Sequence, residues 1–166
     1  MPIGGKSVTF LNYPDGLLEI TMEIKKEVVK AIRKVKPDVV ITMDPSVIYS
    51  AKRGMINHPD HRAAGQICLD AIYPLARDHL SFPELLKEGY KPHKTKTVLL
   101  TNFNEHNYLV NIDSTIDKKI AAIMAHKSQF EDPAAVGQWF KKIAKDTAKN
   151  VHFNYAEAFM RIDLFR

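Results

Sequence analysis

The spacing of apolar positions changes along this chain, and each change predicts an element. From Glu19 to Val35 the residues Ile20, Ile24, Val28, Ile32 and Val35 recur at helical intervals. Acidic residues lead that run and basic residues finish it, so it predicts an amphipathic helix stopped by Lys36-Pro37. Val39-Val40-Ile41-Thr42 lacks polar alternation, the pattern of a strand buried inside a parallel sheet. Ser7 to Leu11 predicts a short strand before the turn-forming Tyr13-Pro14-Asp15-Gly16. A strand, a helix and a second strand in this order imply a right-handed crossover and a sheet covered by helices.

Further along, Pro59 opens a helix that turns Ala64, Ile67, Cys68, Ala71 and Ile72 inward until Pro74. Residues 74–95 read as a long irregular segment with Pro83, Gly89 and Pro92, the kind of loop that serves as a lid or an interface. Thr97 to Thr101 is a buried strand and Tyr108 to Ile112 a further extended piece. Ser114-Thr115-Ile116-Asp117 fits a capping box before a helix carrying Ile116, Ile120, Ile123 and Met124 and reaching His126. Asp132-Pro133 starts a last helix with Val136, Phe140, Ile143 and Thr147 on one face. Tyr155 to Phe165 reads as extended, with a helix over Ala156-Glu157-Ala158 as the alternative. The expectation is one α/β domain over residues 1–166, with a mostly parallel sheet and helices on both faces.

Composition narrows the class. With 166 residues and 45% hydrophobic content the chain can bury a core. It has no apolar run of bilayer length and no signal-peptide layout. Cys68 is the only cysteine, which excludes an internal disulfide and a cysteine-rich zinc cluster and makes the cytoplasm the expected location. The net charge of +5 is spread over helices, as in Lys25, Lys26, Lys30 and Lys34, and reads as solvated faces. No nucleic-acid motif accompanies it, so no nucleic-acid partner is expected.

The candidate chemistry gathers at His58-Pro59-Asp60-His61. Pro59 suits a first helical position, and Asp60 then lies in the first turn, where the helix dipole favours negative charge. Three residues apart on a helical start, the two imidazoles lean to one side, where they can bind a metal or move protons. The plain alternative is a proline-started helix with two surface histidines. Ligands in open α/β sheets sit outside the carboxyl ends of strands. Asp15, Asp44 and the segment from Asn102 to His106 all follow such ends, which favours a functional rim that includes His58, Asp60 and His61. His79, His93, His106 and His152 are expected at the surface.

Five ordered segments carry a family resemblance: Asn12 to Gly16; Lys36 to Val40 with Asp44-Pro45; His58 to Ala63 with Gly65; Ala125 to Gln129; and Tyr155 to Phe159. The combination resembles the GlcNAc-phosphatidylinositol de-N-acetylase family, the PIG-L or LmbE-like deacetylases. The resemblance implies a Rossmann-like fold and a zinc-dependent hydrolase that removes acetyl groups from N-acetylated amino sugars or related amides. It makes His61 a ligand of the single zinc ion. His58 becomes the group that stabilises the tetrahedral intermediate or protonates the leaving amine, and Asp60 the group that orients His58. Asp15, Asp44, His126 and Gln129 become rim residues.

The family's Ala-His-Pro-Asp-Asp segment, with two zinc ligands and the general base, has no counterpart in this sequence. The expectation is therefore a fold truncated at its N-terminus, with exposed sheet edges and impaired activity in the isolated chain. A homo-oligomer or a complementing N-terminal fragment is the expected protein partner. The competing readings are a non-catalytic carbohydrate-binding remnant and a metal site completed by another histidine such as His126.

Overall fold

The structure, a computed structural model, describes residues 4–102 and 104–164. Two compact units emerge, one comprising Leu11–His106 with Phe159–Arg166 and the other Met1–Phe10 with Asn107–Ala158.

The first unit is built around helix α1 (Met22–Val35), strand β1 (Val39–Met43), helix α2 (Pro59–Asp70) and strand β4 (Thr97–Thr101). Between β1 and α2 lies a small hairpin of β2 (Tyr49–Ser50) and β3 (Met55–Ile56), and α3 (Pro83–Lys87) precedes β4. β1 and β4 run parallel and in step, from Val39 opposite Thr97 to Met43 opposite Thr101. β4 pairs on its other side with the end of β6 (Ala156–Asp163), antiparallel, from Leu100 opposite Met160 to Thr97 opposite Asp163. The sheet is therefore mixed, with the parallel pair that the apolar runs at 39–42 and 97–101 require.

Thr21 caps α1 through its hydroxyl, three residues later than the apolar spacing alone places the start, and Lys36 ends the helix in a left-handed conformation. The core joins Val29, Ile32, Ala71, Ile72, Ala76, Leu85, Val98 and Leu100. Ile20 and Val35, the outer ends of the expected stripe, are exposed, whereas Val29 and Arg33 are buried. β1 has one paired neighbour among the described residues, and Val39 and Ile41 on one of its faces stay 49% and 60% exposed.

Residues 74–95 are no free lid. The Arg33 guanidinium, 1% exposed, donates to the carbonyl oxygens of Leu75, Ala76, Asp78 and Ser81 at 2.8–3.2 Å. Lys26 and Lys30 of α1 pair with Glu84 and Glu88, and Leu85 is fully buried. His93, expected at the surface, is half-buried with Nε2 2.8 Å from the Pro37 carbonyl oxygen.

The second unit packs α4 (Ile116–Met124) against α5 (Pro133–Thr147), with Ile112, Ile116 and Ala144 at its centre. Its strand β5 (Tyr108–Asn111) neighbours β6. The capping box is not formed: Thr115 takes the cap position and its hydroxyl donates to the Ile112 carbonyl, while Asp117 pairs with Lys141. Asp132 does cap α5, accepting from Ala135 N–H at 3.0 Å. Ala156 to Ala158 is extended, which decides between the two sequence readings. No strand forms over Ser7 to Leu11, where Val8 and Phe10 are exposed. An extended segment becomes a strand only where a neighbour takes its backbone groups. Among the described residues, no helix is long and apolar enough to cross a membrane.

Asp113 ties the two ends of this unit together. Its carboxylate accepts from the main-chain N–H groups of Asn154 and Tyr155 and from the Asn154 side chain, at 2.6–3.1 Å. The Asn154 N–H does most to hold its pKa below the ordinary carboxylate value; burial opposes, and Tyr155 N–H and the Asn154 amide add to the lowering. A lowered folded pKa means stabilisation that is present above the unfolded value and lost as pH falls through the folded one. Asp113→Asn is expected to lower Tm near neutral pH and to flatten its acid-side decline. Equal slopes of Tm against pH below about 4 in wild type and variant would contradict this role.

Candidate active site

The histidine motif is the start of α2. His58 is the cap residue, with Pro59 at the first helical position as read from the sequence. The main-chain N–H of Asp60 donates to His58 Nδ1 at 3.2 Å. Nδ1 is thus an acceptor, and the neutral ring carries its proton on Nε2. The His58 and His61 rings lie 5.4 Å apart, tilted by 48°, and both side chains are exposed.

The Asp60 carboxylate does not reach back to His58. Its two oxygens accept from Gly16 N–H at 2.6 Å and Leu18 N–H at 3.2 Å, which ties the Pro14-Asp15-Gly16 turn to the first turn of α2. Burial pushes this carboxyl up, but the two N–H donors and the fields of both imidazoles outweigh it, so its pKa lies below the ordinary value. Gly16 adopts φ of 80°, a left-handed turn that glycine tolerates. Asp15 is exposed in that turn, beside the anchored Gly16.

Asp44, 7% exposed at the end of β1, is a latch. It accepts from the main chain and hydroxyl of Ser46 at 2.9 and 2.6 Å and from Asn102 Nδ2 at 2.8 Å. The loops after the parallel strands β1 and β4 are thereby held together. Asn57, directly before His58, is buried and clamps the hairpin: its N–H donates to the Ile48 carbonyl and its side-chain amide to that of Val47, both at 2.8 Å. Arg62, one turn into α2, donates to the Asn57 carbonyl at 2.6 Å. Sequence reasoning missed Asn57 and Arg62. The one signal for them was their place flanking the motif.

His126 and Gln129 belong to the other unit. His126 precedes the short 3₁₀ turn Lys127–Gln129, and both side chains are exposed.

A catalytic zinc site needs three protein ligands and an open position. Among the described residues, no group of three or more His, Cys, Asp or Glu side chains is placed to hold a metal ion. The set completed by a further histidine is therefore not found there, and the Asp44 oxygens are already engaged. The described residues offer the His58–His61 pair but do not complete a zinc site.

Comparison with known proteins gives the arrangement a lineage. The family profile for PIG-L, GlcNAc-PI de-N-acetylase, matches residues 2–72, which include the turn, Asp44 and the histidine motif. A diacetylchitobiose deacetylase of Thermococcus kodakarensis is 32% identical over 130 residues, covering 78% of this chain and 46% of that protein. The N,N'-diacetylchitobiose deacetylase of Pyrococcus horikoshii, solved with an inhibitor, matches with a TM-score of 0.83 and 27% identity. That match covers 98% of this chain and 59% of the Pyrococcus chain. A conserved protein of Thermus thermophilus shares the fold, with a TM-score of 0.72 and 23% identity over 94% of this chain and 66% of its own. The chain spans about half the length of the curated relative it matches. These matches place the chain in the PIG-L family.

Proposed function

We propose that this chain carries the histidine-bearing wall of a hydrolytic site that removes acetyl groups from N-acetylated amino sugars. The reading is supported by the His58–His61 pair, held outside the strand ends by the cap geometry of α2 and by Asp60. Amide hydrolysis joins a water oxygen to the acetyl carbon, breaks the C–N bond, and releases acetate and a free amine. With Nδ1 engaged by the Asp60 N–H, His58 presents Nε2–H as a donor to the oxygen that becomes negative in the tetrahedral intermediate. Asp60 is a positioning residue, acting through its own main chain on His58 and through its carboxylate on the Asp15–Gly16 turn.

The family resemblance assigns one zinc ion to the complete site, with His61 among its ligands. Zinc would polarise the amide carbonyl or activate water. Because the described residues do not complete the ligand set, no step is routed through the metal, and turnover by the isolated chain is expected to be weak. The Cys68 thiol suits a reducing, cytoplasmic setting.

The test is titration of the chain with N,N'-diacetylchitobiose, following the imidazole resonances of His58 and His61 by NMR and acetate release in parallel. Both rings are expected to shift, and any acetate release is expected to fall at least ~100-fold in His58→Ala. Saturating sugar that moves neither ring would refute the reading. Ring shifts with no acetate would favour the second reading, a sugar-binding module without hydrolysis, which the incomplete ligand set supports.

A further inference from the structure

The chain enters the histidine motif from a residue that is held on three sides. Asn57 is 2% exposed, and its N–H and side-chain amide donate to the carbonyls of Ile48 and Val47. Its own carbonyl accepts from Arg62 Nη1 at 2.6 Å. Resting on the proposed deacetylase reading, we propose that Arg62 is a positioning residue for His58. Its guanidinium fixes the Asn57–His58 peptide plane and so sets the direction in which His58 offers Nε2–H.

The path of the side chain is the first observation. Arg62 follows His58 by four residues at the start of α2, so the two share a face of the helix. Long side chains on a helix lean toward its N-terminus. The Arg62 guanidinium accordingly passes the His58 turn and reaches the carbonyl one residue before it. A cationic donor 2.6 Å from a carbonyl oxygen lies at the short, strong end of such bonds.

The second is what else restrains that peptide. A peptide plane between two fixed α-carbons rocks through opposite changes in the ψ before it and the φ after it. His58 has φ of −57° and ψ of 137°, so it stands outside the helical ladder that would lock it. Its carbonyl takes the N–H groups of His61 and Arg62 at 3.1 and 3.3 Å, but those bonds lie on the next plane. Among the described residues, Arg62 makes the one hydrogen bond on the Asn57–His58 plane.

The third is how lightly the ring itself is held. The Asp60 N–H reaches His58 Nδ1 at 3.2 Å, the long limit for such a bond, and the ring is exposed, so no packing wedges it. Which rotamer a side chain adopts depends on its own φ and ψ. A His58 backbone free to rock would therefore release the ring and lose the Nδ1 bond. Arg62 is half-buried and makes no ion pair among the described residues, so its guanidinium is spent on this carbonyl rather than on a carboxylate.

The whole 166-residue chain provides the test. Three-bond NMR couplings across the His58 Cα–Cβ bond report whether the ring keeps a single rotamer. Wild type is expected to show one rotamer and Arg62→Ala an average over several. Arg62→Lys keeps a cationic donor and is expected to return most of the way to one. A role confined to helix stability would lower Tm and leave the couplings of the folded protein unchanged. Acetate release from N,N'-diacetylchitobiose is expected to fall about tenfold in kcat in Arg62→Ala, with KM within about twofold. Should Arg62→Ala not fold, Arg62→Gln carries the same comparison.

Couplings unchanged in Arg62→Ala, or a wild-type ring already averaged over rotamers, overturn the positioning role and leave the deacetylase reading standing. A ring released in Arg62→Ala, in a protein whose histidines the disaccharide does not move, supports the Arg62 contact and overturns the deacetylase reading.

Discussion

Arg33→Ala is expected to lower the unfolding free energy by about 3 kcal/mol or more, the largest stability effect of any single change considered for this chain. Arg33 stands in the last turn of α1, where a basic side chain usually reaches into solvent and complements the helix dipole. Here it is buried and its guanidinium meets four carbonyl oxygens between Leu75 and Ser81. Burial pulls its pKa below the ordinary guanidinium value, with the fields of Asp78 and Glu84 opposing that shift.

Truncation would take the guanidinium donors from the carbonyls of Leu75, Asp78 and Ser81, leave the Ala76 carbonyl with the His93 N–H alone, and empty a side-chain volume at the edge of the core that holds Ala76 and Leu85. Arg33→Lys keeps the charge but offers a compact ammonium in place of a planar fork, so it should recover only part of the loss. Urea denaturation of the three proteins checks this. A loss below about 1 kcal/mol for Arg33→Ala would mean that the 75–81 segment is held by other contacts.

Gly65→Ala carries the second largest effect, and its sign is the informative part. At an exposed helix position, replacing glycine with alanine normally gains about 0.5–1 kcal/mol. Gly65 faces β1, and a methyl group there would lie 2.4 Å from the Met43 carbonyl oxygen and 3.2 Å from Pro45 Cδ. Backbone cannot yield as a side-chain tip does, so α2 must move away from the strand. The expected cost is about 2–3 kcal/mol, or roughly 5–10 °C in Tm for a chain of this size. The shift would also carry His58 and His61, which ride on the first turn of the same helix. A neutral or stabilising result would show that α2 and β1 do not approach this closely.

Much of the fold was legible because the apolar periods are unambiguous where elements are long. The strand at Thr97 to Thr101 was read to the residue, and the helices at 59–70 and 133–147 start at prolines preceded by capping residues. The errors fall where an outcome depends on a partner elsewhere in the chain. Ser7 to Leu11 has strand composition but gains no strand neighbour. Ser114 has the right spacing for a capping box, yet Thr115 takes the cap position. The 74–95 segment looked free to act as a lid because nothing local reveals that Arg33 turns inward to seize it.

The candidate site divides in the same way. That His58 caps a helix and that Asp60 falls in its first turn are local facts, set by proline, dipole and spacing. Which group each one touches is not local. The Asp60 carboxylate holds Gly16 and Leu18, more than forty residues away in sequence. The rim residue Asp44 spends its oxygens on Ser46 and Asn102. His126 and Gln129, grouped by resemblance with the rim, stand in the second compact unit.

By itself the sequence determined the family, the α/β class, the helix start that carries the two histidines, and the strand ends beside which they sit. Each of these follows from covalent neighbours and short-range periodicity. Tertiary structure alone decided that Arg33 is a buried clamp, that Gly65 must lack a side chain, and that Asp60 anchors a distant turn. Those outcomes depend on hydrogen bonds and close contacts between segments far apart in the chain, and no local pattern encodes which segments will meet.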